Sequence, residues 1–319
     1  MREDDRVRGT EIVSDELSGK TTSKGLSIQE SLGIGKMRDV LVVGSVSIDT
    51  VVQGDLARIK MGGVAVYGAV TFRRFGLQTT VVTNIGREVD LFLKLFQQHG
   101  IKIQYGPSGS TTTCTDYVAG NERLSEFAAF ARPISVEQVL DALPGKEHVH
   151  LGPLHPLDID SAVLEVLSEG WVPVSLDIQG YLRSPCCGST AAFVSEQLST
   201  VLNLASVVKA GNTELQTIND ATGMDVHELI RVHNINEFVV TGGNLGGTVV
   251  LASGEEVRYQ AMPAPSGGDP TGAGDVFFAA YIASRLNQKL DVADSCRHAA
   301  EVAAMQVSGQ YIRGEQLAV

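Results

Sequence analysis

The sequence lacks the features that mark several large classes of protein. It has four cysteines in 319 residues and no C-x-x-C pair, so it indicates neither a disulfide framework nor a structural zinc site. His148, His150 and His155 are close in sequence, but no carboxylate or cysteine pattern completes a metal site, and core or surface positions are expected. No apolar run reaches the roughly 18 residues that a membrane-spanning helix needs. The net charge of −12 offers no basic face for nucleic acid or an anionic membrane.

Aromatic residues are also scarce, at 6%, whereas glycine occurs 34 times and 43% of the residues are hydrophobic. This balance favours an α/β protein with many tight turns over a helical bundle or a disordered chain. The length fits one large domain, or one domain with a subdomain. Together with the lack of a disulfide pattern, a membrane-spanning run and a basic face, the composition predicts a soluble, cytoplasmic protein. We expect its thiols to be reduced and its partners to include neither nucleic acid nor membranes.

The first 36 residues differ from the rest of the chain. They mix both charges, contain no aromatic residue and show no sustained hydrophobic periodicity. Their acidic residues argue against an organellar transit peptide, and they have no apolar segment typical of a secretory signal. We predict a disordered tail over residues 1–36 and a folded domain over residues 37–319.

From Val40 onward, short β-branched runs alternate with amphipathic helical stretches. Continuous apolar strands separated by helices predict a doubly wound, mostly parallel sheet covered on both faces. Two regions, 48–60 and 101–130, interrupt this alternation with polar, β-prone segments, and we expect them to form a small separate sheet. The predicted strands of the main sheet cover residues 40–45, 79–85, 147–152, 172–178, 205–210 and 237–242.

The segment "GDPTGAGD" carries the strongest chemical signal. Gly272, Ala273 and Gly274 stand directly before Asp275 at the start of an apolar helix. Free backbone N–H groups and the helix dipole favour an anion there, and small side chains let it approach the amides. Asp275 can take a proton from a hydroxyl, an arrangement suited to attack by an alcohol on a phosphoryl group. In the alternative interpretation, a residue ahead of the helix caps it and Asp275 only complements the dipole.

A second glycine-rich segment, "VVTGGNLGGTVV", contains Thr241, Gly243 and Gly246 in a T-x-G-x-x-G arrangement. It does not predict a dinucleotide-binding fold, because the residues after Gly246 are typical of a strand and that fingerprint needs a helix. A glycine-rich hairpin turn explains the same residues without a ligand. The sequence also has no GxxxxGK[ST] element, so a P-loop protein is excluded.

Taken together, these segments resemble the ribokinase/PfkB carbohydrate kinase family, whose signature reads D-[TP]-T-G-A-G-D. The resemblance covers about residues 38–312. It implies a doubly wound α/β domain with a small β-sheet lid, and a phosphotransferase that uses ATP and Mg²⁺ on a sugar hydroxyl. It also implies that Asp275 is the catalytic base and that the amides of Gly272, Ala273 and Gly274 stabilise the transferring phosphoryl group.

The resemblance also implies positions for the acceptor substrate. Gly62 and Gly63 match the family's N-terminal glycine pair and would line the acceptor site, where paired glycines let the backbone approach a ligand closely. Asp49 matches the aspartate that binds acceptor hydroxyls. Tyr67 stands where the family often has asparagine, a departure that argues against ribose-type recognition.

On the donor side, the T-x-G-x-x-G segment would contact the nucleotide phosphates. Glu214 occupies the glutamate position of the family's N-x-x-E motif, which organises Mg²⁺ through water, but Gly211 stands at the asparagine position. A hydrated Mg²⁺ needs few protein ligands, so a role for Glu214 is compatible with that departure. Lys209 ends the preceding strand, where it would steady a phosphate or remain solvated.

The segment "SLDIQGYLR" is similar to the inositol-kinase-like branch of the family, in which D-x-Q-G replaces D-x-N. Asp177, Gln179 and Arg183 are expected to face the acceptor or the transferring phosphate. In the alternative interpretation Asp177 is a capping residue and Arg183 forms a surface ion pair.

The sequence therefore predicts an ATP-dependent kinase that phosphorylates a hydroxyl of a small sugar or an inositol-like cyclitol. A nucleoside kinase of the same family and a catalytically silent sugar- or nucleotide-sensing protein stay open as alternatives. A fructose-phosphate kinase would need basic residues around the acceptor, and the glycine-pair region supplies only Arg73 and Arg74. A homodimer joined through the lid also stays open.

Overall fold

A computed structural model describes residues 37–119, 122–189, 192–265 and 268–319. The tail predicted over residues 1–36 lies outside these described ranges. In the described part of the chain, no helix is both long and apolar enough to cross a membrane.

A nine-stranded sheet forms the centre of the fold, in the order β14-β13-β12-β11-β9-β8-β1-β4-β5. Neighbouring strands from β12 to β5 pair in parallel, and β13 and β14 add an antiparallel edge. Numbered along the whole chain, its strands are β1 (Asp39–Gly44), β4 (Gln78–Ile85), β5 (Lys102–Pro107), β8 (His148–Gly152), β9 (Val174–Asp177), β11 (Val207–Gly211), β12 (Glu237–Thr241), β13 (Gly247–Leu251) and β14 (Glu256–Tyr259).

Helices cover both faces of this sheet, which confirms the predicted doubly wound α/β class. One apolar core contains side chains of α1, α2, α8 and α9, and a second core on the other face contains side chains of α3 to α7. The helices are α1 (Val64–Arg74), α2 (Val89–Gln98), α3 (Val136–Ala142), α4 (Ser161–Glu169), α5 (Leu198–Leu204), α6 (Asn212–Thr222), α7 (Val226–His233), α8 (Ala273–Ala283), α9 (Val292–Val307) and α10 (Gly314–Leu317).

A separate five-stranded sheet has the order β10-β7-β6-β2-β3. Within it, β2 and β6 run parallel and the other neighbouring pairs are antiparallel. Its strands are β2 (Ser47–Gln53), β3 (Leu56–Gly62), β6 (Thr112–Ala119), β7 (Glu122–Ala129) and β10 (Gly188–Ser189).

The small sheet contains only part of the sequence predicted for it. Region 48–60 forms most of β2 and β3, as predicted. The sequence predicts that all of region 101–130 belongs to the small sheet. The first strand of that region, β5, instead pairs with β4 at the edge of the large sheet. Because an edge strand is only partly covered, Lys102 and Tyr105 are exposed, and this polar pattern resembles that of a small-sheet strand.

His148 and His150 lie in the interior on β8, so the core position, one of the two that the sequence allows, is the one observed. His148 Nε2 and His150 Nδ1 both lie within hydrogen-bond distance of the Ser175 hydroxyl, at 2.8 and 2.9 Å. Burial, with the neighbouring His150 and Arg38 adding to it, lowers the pKa of His148 to about 3. Burial also lowers the pKa of His150 to about 4.

Both buried histidines make stability depend on pH. Their pKa values are lower in the folded chain than in the unfolded chain, so their contribution is complete above about pH 6.5 and is lost as the pH falls toward 4. Within this pH range, each histidine lowers the free energy of unfolding by about 1.4 kcal/mol for every pH unit of acidification. We expect the free energy of unfolding to fall by roughly 2–3 kcal/mol between pH 7.5 and 5.5, measured by urea unfolding. His150→Asn should reduce this slope.

Candidate active site

A cavity of about 200 Å³ lies at the carboxyl ends of the central strands, where α/β sheets place their ligands. Both sheets contribute to its walls. Its lining comes from the small sheet (Ser47, Asp49, Cys114, Ser125, Phe127), the start of α1 (Gly63, Tyr67), connecting segments (Leu154, Gln179, Arg183), the end of β11 (Lys209) and the start of α8 (Pro270, Thr271, Gly272, Gly274, Asp275).

The N-terminus of α8 has the predicted anion-binding geometry. Gly272 is the N-cap residue with φ of +75°, and Ala273 begins the helix. Asp275 lies in the first turn and is partly exposed to the cavity. Ala273 differs from its predicted role, because its amide donates to the Pro270 carbonyl at 3.1 Å and so already has a partner. The amides of Gly272 and Gly274 are therefore the better candidates for binding a phosphoryl oxygen.

Two side chains orient the Asp275 carboxylate. Gln179 Nε2 donates to Asp275 Oδ1 at 3.3 Å. The guanidinium of Arg183 in turn donates from Nη2 to Gln179 Oε1 at 2.6 Å, which fixes the orientation of the Gln179 amide. Arg183, Gln179 and Asp275 are therefore linked by consecutive hydrogen bonds, which bring Gln179 and Arg183 to the predicted site.

Lys209 supplies a buried positive charge beside the same helix start. Burial opposes its charge, but the nearby carboxylates of Asp177, Glu214 and Asp275 outweigh burial and raise its pKa, so it remains a cation. Its Nζ would lie 3.4 Å from a Cβ added to Gly274. Only 6% exposed, Lys209 is not the solvated residue that one alternative allowed, and its ammonium lies beside Gly274 at the start of α8.

Asp177 does not face the cavity. It is fully buried, pairs with Lys209 Nζ at 2.9 Å and accepts the Gln179 amide at 3.3 Å, capping the short 3₁₀ turn Ile178–Leu182. The capping alternative is therefore the correct one for Asp177. Its contribution to the site is indirect, because it holds the ammonium of Lys209 in place.

The end of the cavity formed by the small sheet is built around Asp49 on β2. Asp49 is 5% exposed and lines the cavity. A Cβ on Gly62 would lie 1.9 Å from Asp49 Oδ2, so glycine is needed for this carboxylate to lie over β3. Gly63 is the N-cap of α1 with φ of +93°, and a Cβ there would lie 2.4 Å from the Ser45 carbonyl oxygen. Both glycines are thus required by close approaches within the protein, whereas the sequence predicts a close approach to a ligand. Gly63 lines the cavity, and Gly62 is not among the described residues that line it.

Tyr67 packs its ring against Gly272. A Cβ on Gly272 would lie 2.6 Å from carbons of that ring, so the aromatic face supports the backbone at the start of α8. Tyr67 is 1% exposed, and it gives the cavity an apolar wall together with Phe127 and Leu154. The departure from asparagine at this position therefore replaces a polar side chain by an aromatic support.

The T-x-G-x-x-G segment joins β12 to β13, the strand that the sequence predicts. Thr241 ends β12 opposite Gly211 at the end of β11, and Gly243 begins a short 3₁₀ turn. Gly246 has φ of +82°, and a Cβ there would lie 2.2 Å from the Tyr259 carbonyl oxygen. The packing of β13 on β14 therefore explains Gly246 without a ligand.

Glu214 lies in the first turn of α6 and lines a second cavity that adjoins the first one at Ser125, Gln179 and Arg183. Its Oε2 accepts the Gly211 amide at 2.6 Å. In the described part of the chain, no group of three or more histidine, cysteine or acidic side chains could hold a metal directly. Glu214 fits a metal held mainly by water and phosphate oxygens, because its second carboxylate oxygen is not used by that amide.

Comparison with known proteins agrees with this geometry. The family description "pfkB family carbohydrate kinase" matches residues 37–314. The chain belongs to this family. It is therefore a phosphotransferase with an alcohol group as acceptor. No curated protein matches the sequence.

Solved structures of pfkB-type and related kinases share the fold. A pyrophosphate-dependent kinase in the ribokinase family, solved as a sulfate complex, has 23% identity and a TM-score of 0.73, over 86% of this chain and 95% of the other. Such a kinase complexed with a pyrophosphate analog and myo-inositol has 23% identity and a TM-score of 0.72, over 86% and 95%. The Burkholderia thailandensis nucleoside kinase in complex with inosine has 19% identity and a TM-score of 0.70, over 85% and 91%.

Lys60 lies beside this pfkB-type site, next to the cavity-lining Asp49, and no sequence motif indicates it. It lies on β3, paired in register with Asp49 on β2, and its ammonium forms an ion pair with Asp269. Asp269 also accepts the Thr271 amide at 2.9 Å. Burial raises the pKa of Asp269, but Lys60 and these hydrogen bonds lower it overall. No local sequence signal could reveal the pair, because its members are 209 residues apart.

We expect Lys60→Met to lower kcat/KM by about 10-fold, because it disconnects β3 from the segment that leads into α8. The ion pair is partly exposed, so the cost in folding stability should stay below about 1 kcal/mol. Steady-state kinetics and thermal melting separate the two effects. Lys60→Arg keeps the charge and should recover most of the activity. A Lys60→Met protein with full activity would contradict this coupling.

Proposed function

We propose that this pfkB-family kinase phosphorylates a hydroxyl of a neutral sugar or cyclitol. One observation carries the proposal: Asp275, Asp49 and the glycines at the start of α8 line the same cavity. This arrangement supports a base, a hydroxyl-binding carboxylate and an anion site within reach of one small molecule.

In the proposed reaction Asp275 accepts the proton of the acceptor hydroxyl as its oxygen bonds to the transferring phosphorus. The bond between that phosphorus and the donor's leaving oxygen breaks, and the leaving group, ADP from ATP or phosphate from pyrophosphate, carries away the electron pair. The Gly272 and Gly274 amides and the Lys209 ammonium stabilise the negative charge on the phosphoryl oxygens. Gln179 holds the Asp275 carboxylate toward the acceptor.

The distribution of charge supports a neutral acceptor. Among the described residues that line the cavity, the cations are Lys209, paired with Asp177, and Arg183, bonded to Gln179. Lys209 lies next to the start of α8, and Arg183 is linked to it through Gln179 and Asp275, whereas the acceptor end carries the carboxylate of Asp49. A phosphorylated sugar would place its negative charge near that carboxylate, which is unfavourable. A nucleoside acceptor remains the second candidate, because the ring of Phe127 could pack against a base.

For the donor we propose ATP, with Mg²⁺ held through water beside Glu214. The ion would shield charge on the phosphates when bound. Pyrophosphate is the alternative donor, since two of the solved structures named above are of pyrophosphate-dependent kinases. Both donors carry a phosphoanhydride, so Asp275 and the α8 amides would have the same role with either one.

A matrix of acceptors and donors tests this function. Myo-inositol, ribose, cytidine and fructose 6-phosphate are each incubated with ATP or pyrophosphate in the presence of Mg²⁺, and phosphorylated product is measured. Turnover of myo-inositol is the expected result, because Tyr67 argues against ribose-type recognition. Turnover of ribose would still support a neutral sugar as acceptor. Turnover of cytidine alone would support the nucleoside kinase, and turnover of fructose 6-phosphate alone would contradict a neutral acceptor. Binding of an acceptor without turnover by any donor would favour the sensing protein.

A further inference from the structure

Two rows of side chains cross the small sheet on the face that borders the cavity. Strand register places Lys60, Asp49, Cys114 and Phe127 side by side across β3, β2, β6 and β7. Three of these four line the cavity, and Lys60 reaches Asp269. In the next row, two residues further along the strands, Asp116 on β6 stands directly opposite Ser125 on β7.

Asp116 and Ser125 form a cross-strand hydrogen bond, in which the Ser125 hydroxyl donates to Asp116 Oδ1 at 2.6 Å. Asp116 is fully buried, so its carboxylate is a strong acceptor in a surrounding of low dielectric constant. The single proton of the Ser125 hydroxyl is therefore committed to Asp116. Toward any ligand, Ser125 can offer only the lone pairs of its oxygen.

Ser125 occupies the junction of the two cavities. It lines the cavity that contains Asp275 and also the adjoining cavity that contains Glu214. Gln179 and Arg183 line the same junction from the large sheet. A molecule in the first cavity would therefore meet Ser125 on the small sheet and Gln179 opposite it.

We propose that Ser125, oriented by Asp116, is a specificity-determining residue that accepts a hydrogen bond from one hydroxyl of the acceptor substrate. The proposal rests on the kinase function proposed above and adds a residue that selects among polyols. An acceptor that lacks this hydroxyl, or carries it with inverted configuration, leaves the Ser125 oxygen without a donor. Burying an unpaired polar oxygen is unfavourable, so such acceptors bind less well. The hydroxyl bound to Ser125 is a different one from the hydroxyl that Asp275 deprotonates.

The test compares wild type with Ser125→Ala on the acceptor that wild type uses in the matrix and on its monodeoxy analogues. These are deoxyinositols for myo-inositol, deoxyriboses for ribose and deoxynucleosides for cytidine. Ser125→Ala should raise KM for the parent acceptor by roughly 3- to 10-fold and change kcat by less than about 2-fold. For one analogue, the one that lacks the bound hydroxyl, the two enzymes should have the same KM.

A matched control is Thr115→Val, which removes a hydroxyl from the opposite face of β6, where Thr115 pairs with Glu126. It should change no kinetic constant. Asp116→Ala frees the Ser125 proton, and we expect it to weaken discrimination between parent and analogue; its melting temperature shows whether it folds.

Two results would overturn the inference: equal KM values for Ser125→Ala and wild type on the parent acceptor, or the same KM increase on every analogue. The second result would indicate a general structural defect in the small sheet. Failure of the wild-type protein to phosphorylate any neutral acceptor would instead contradict the proposed function, so the two failures are distinguishable.

Discussion

Asp275→Asn is expected to lower kcat by about 10²- to 10⁴-fold, the range typical of a lost general base. Asparagine has nearly the same shape and can still receive the hydrogen bond from Gln179, but it cannot take up the proton of the acceptor hydroxyl. The fold should persist, because Asp275 is partly exposed and the helix after it is held by its apolar residues. Steady-state kinetics with the acceptor found in the matrix, together with circular dichroism, measure both effects.

Asp294→Asn is a suitable control for this variant. Asp294 also lies in the first turn of a helix, α9, but its side chain is exposed and pairs with Arg297. The same chemical change there alters the interaction with a helix dipole without touching the cavity. Its kcat should equal that of wild type. If Asp275→Asn were as active as Asp294→Asn, Asp275 would only complement the dipole of α8, and the assignment of the base would be wrong.

Gly272→Ala is expected to lower kcat by more than about 100-fold and also to destabilise the fold. Two independent effects act at this position. A left-handed φ of +75° costs a non-glycine residue about 1–2 kcal/mol. In addition, the new methyl group would lie 2.6 Å from the buried ring of Tyr67, so the backbone at the start of α8 must move. A displacement of this backbone moves the amides that would bind the phosphoryl group.

Gly309→Ala separates the two effects. Gly309 has a similar φ of +71°, but an added Cβ meets nothing within 4 Å. It should therefore lose about 1–2 kcal/mol of stability and keep its activity. Chemical unfolding and initial rates of both variants, measured side by side, test the comparison. Equal activity of Gly272→Ala and Gly309→Ala would refute the claim that the α8 amides participate in phosphoryl transfer.

Long apolar strands and local turns explain why much of the large sheet could be predicted. Strand β1 is buried along nearly its whole length, and its sequence is a nearly continuous run of apolar residues. The start of α8 is similarly local, since four consecutive residues contain both the small side chains and the carboxylate. Strand β5 was assigned to the wrong sheet because its exposure depends on what covers it, which the sequence does not state.

Several predicted site residues changed roles for a related reason. The sequence places Asp177 two residues before Gln179, but only the packing of β9 against β11 brings it to Lys209 and away from the cavity. Ala273 was expected to share the anion site with its neighbours. The turn that starts α8 instead directs its amide to the Pro270 carbonyl. The first outcome depends on the pairing of two strands that are distant in sequence, and the second on the local backbone geometry of a turn.

By itself, the sequence determined the α/β alternation, the family and the local chemistry at the start of α8. Each of these depends on the hydrogen-bonding groups and side-chain sizes of residues that are neighbours in the sequence. Only the tertiary structure decided that Lys60 pairs with Asp269, that Tyr67 supports Gly272 and that Asp116 fixes the hydroxyl of Ser125. Such contacts depend on strand register and on how separate segments pack together. Both are decided by the whole hydrophobic core, and the residue pattern within one segment does not specify them.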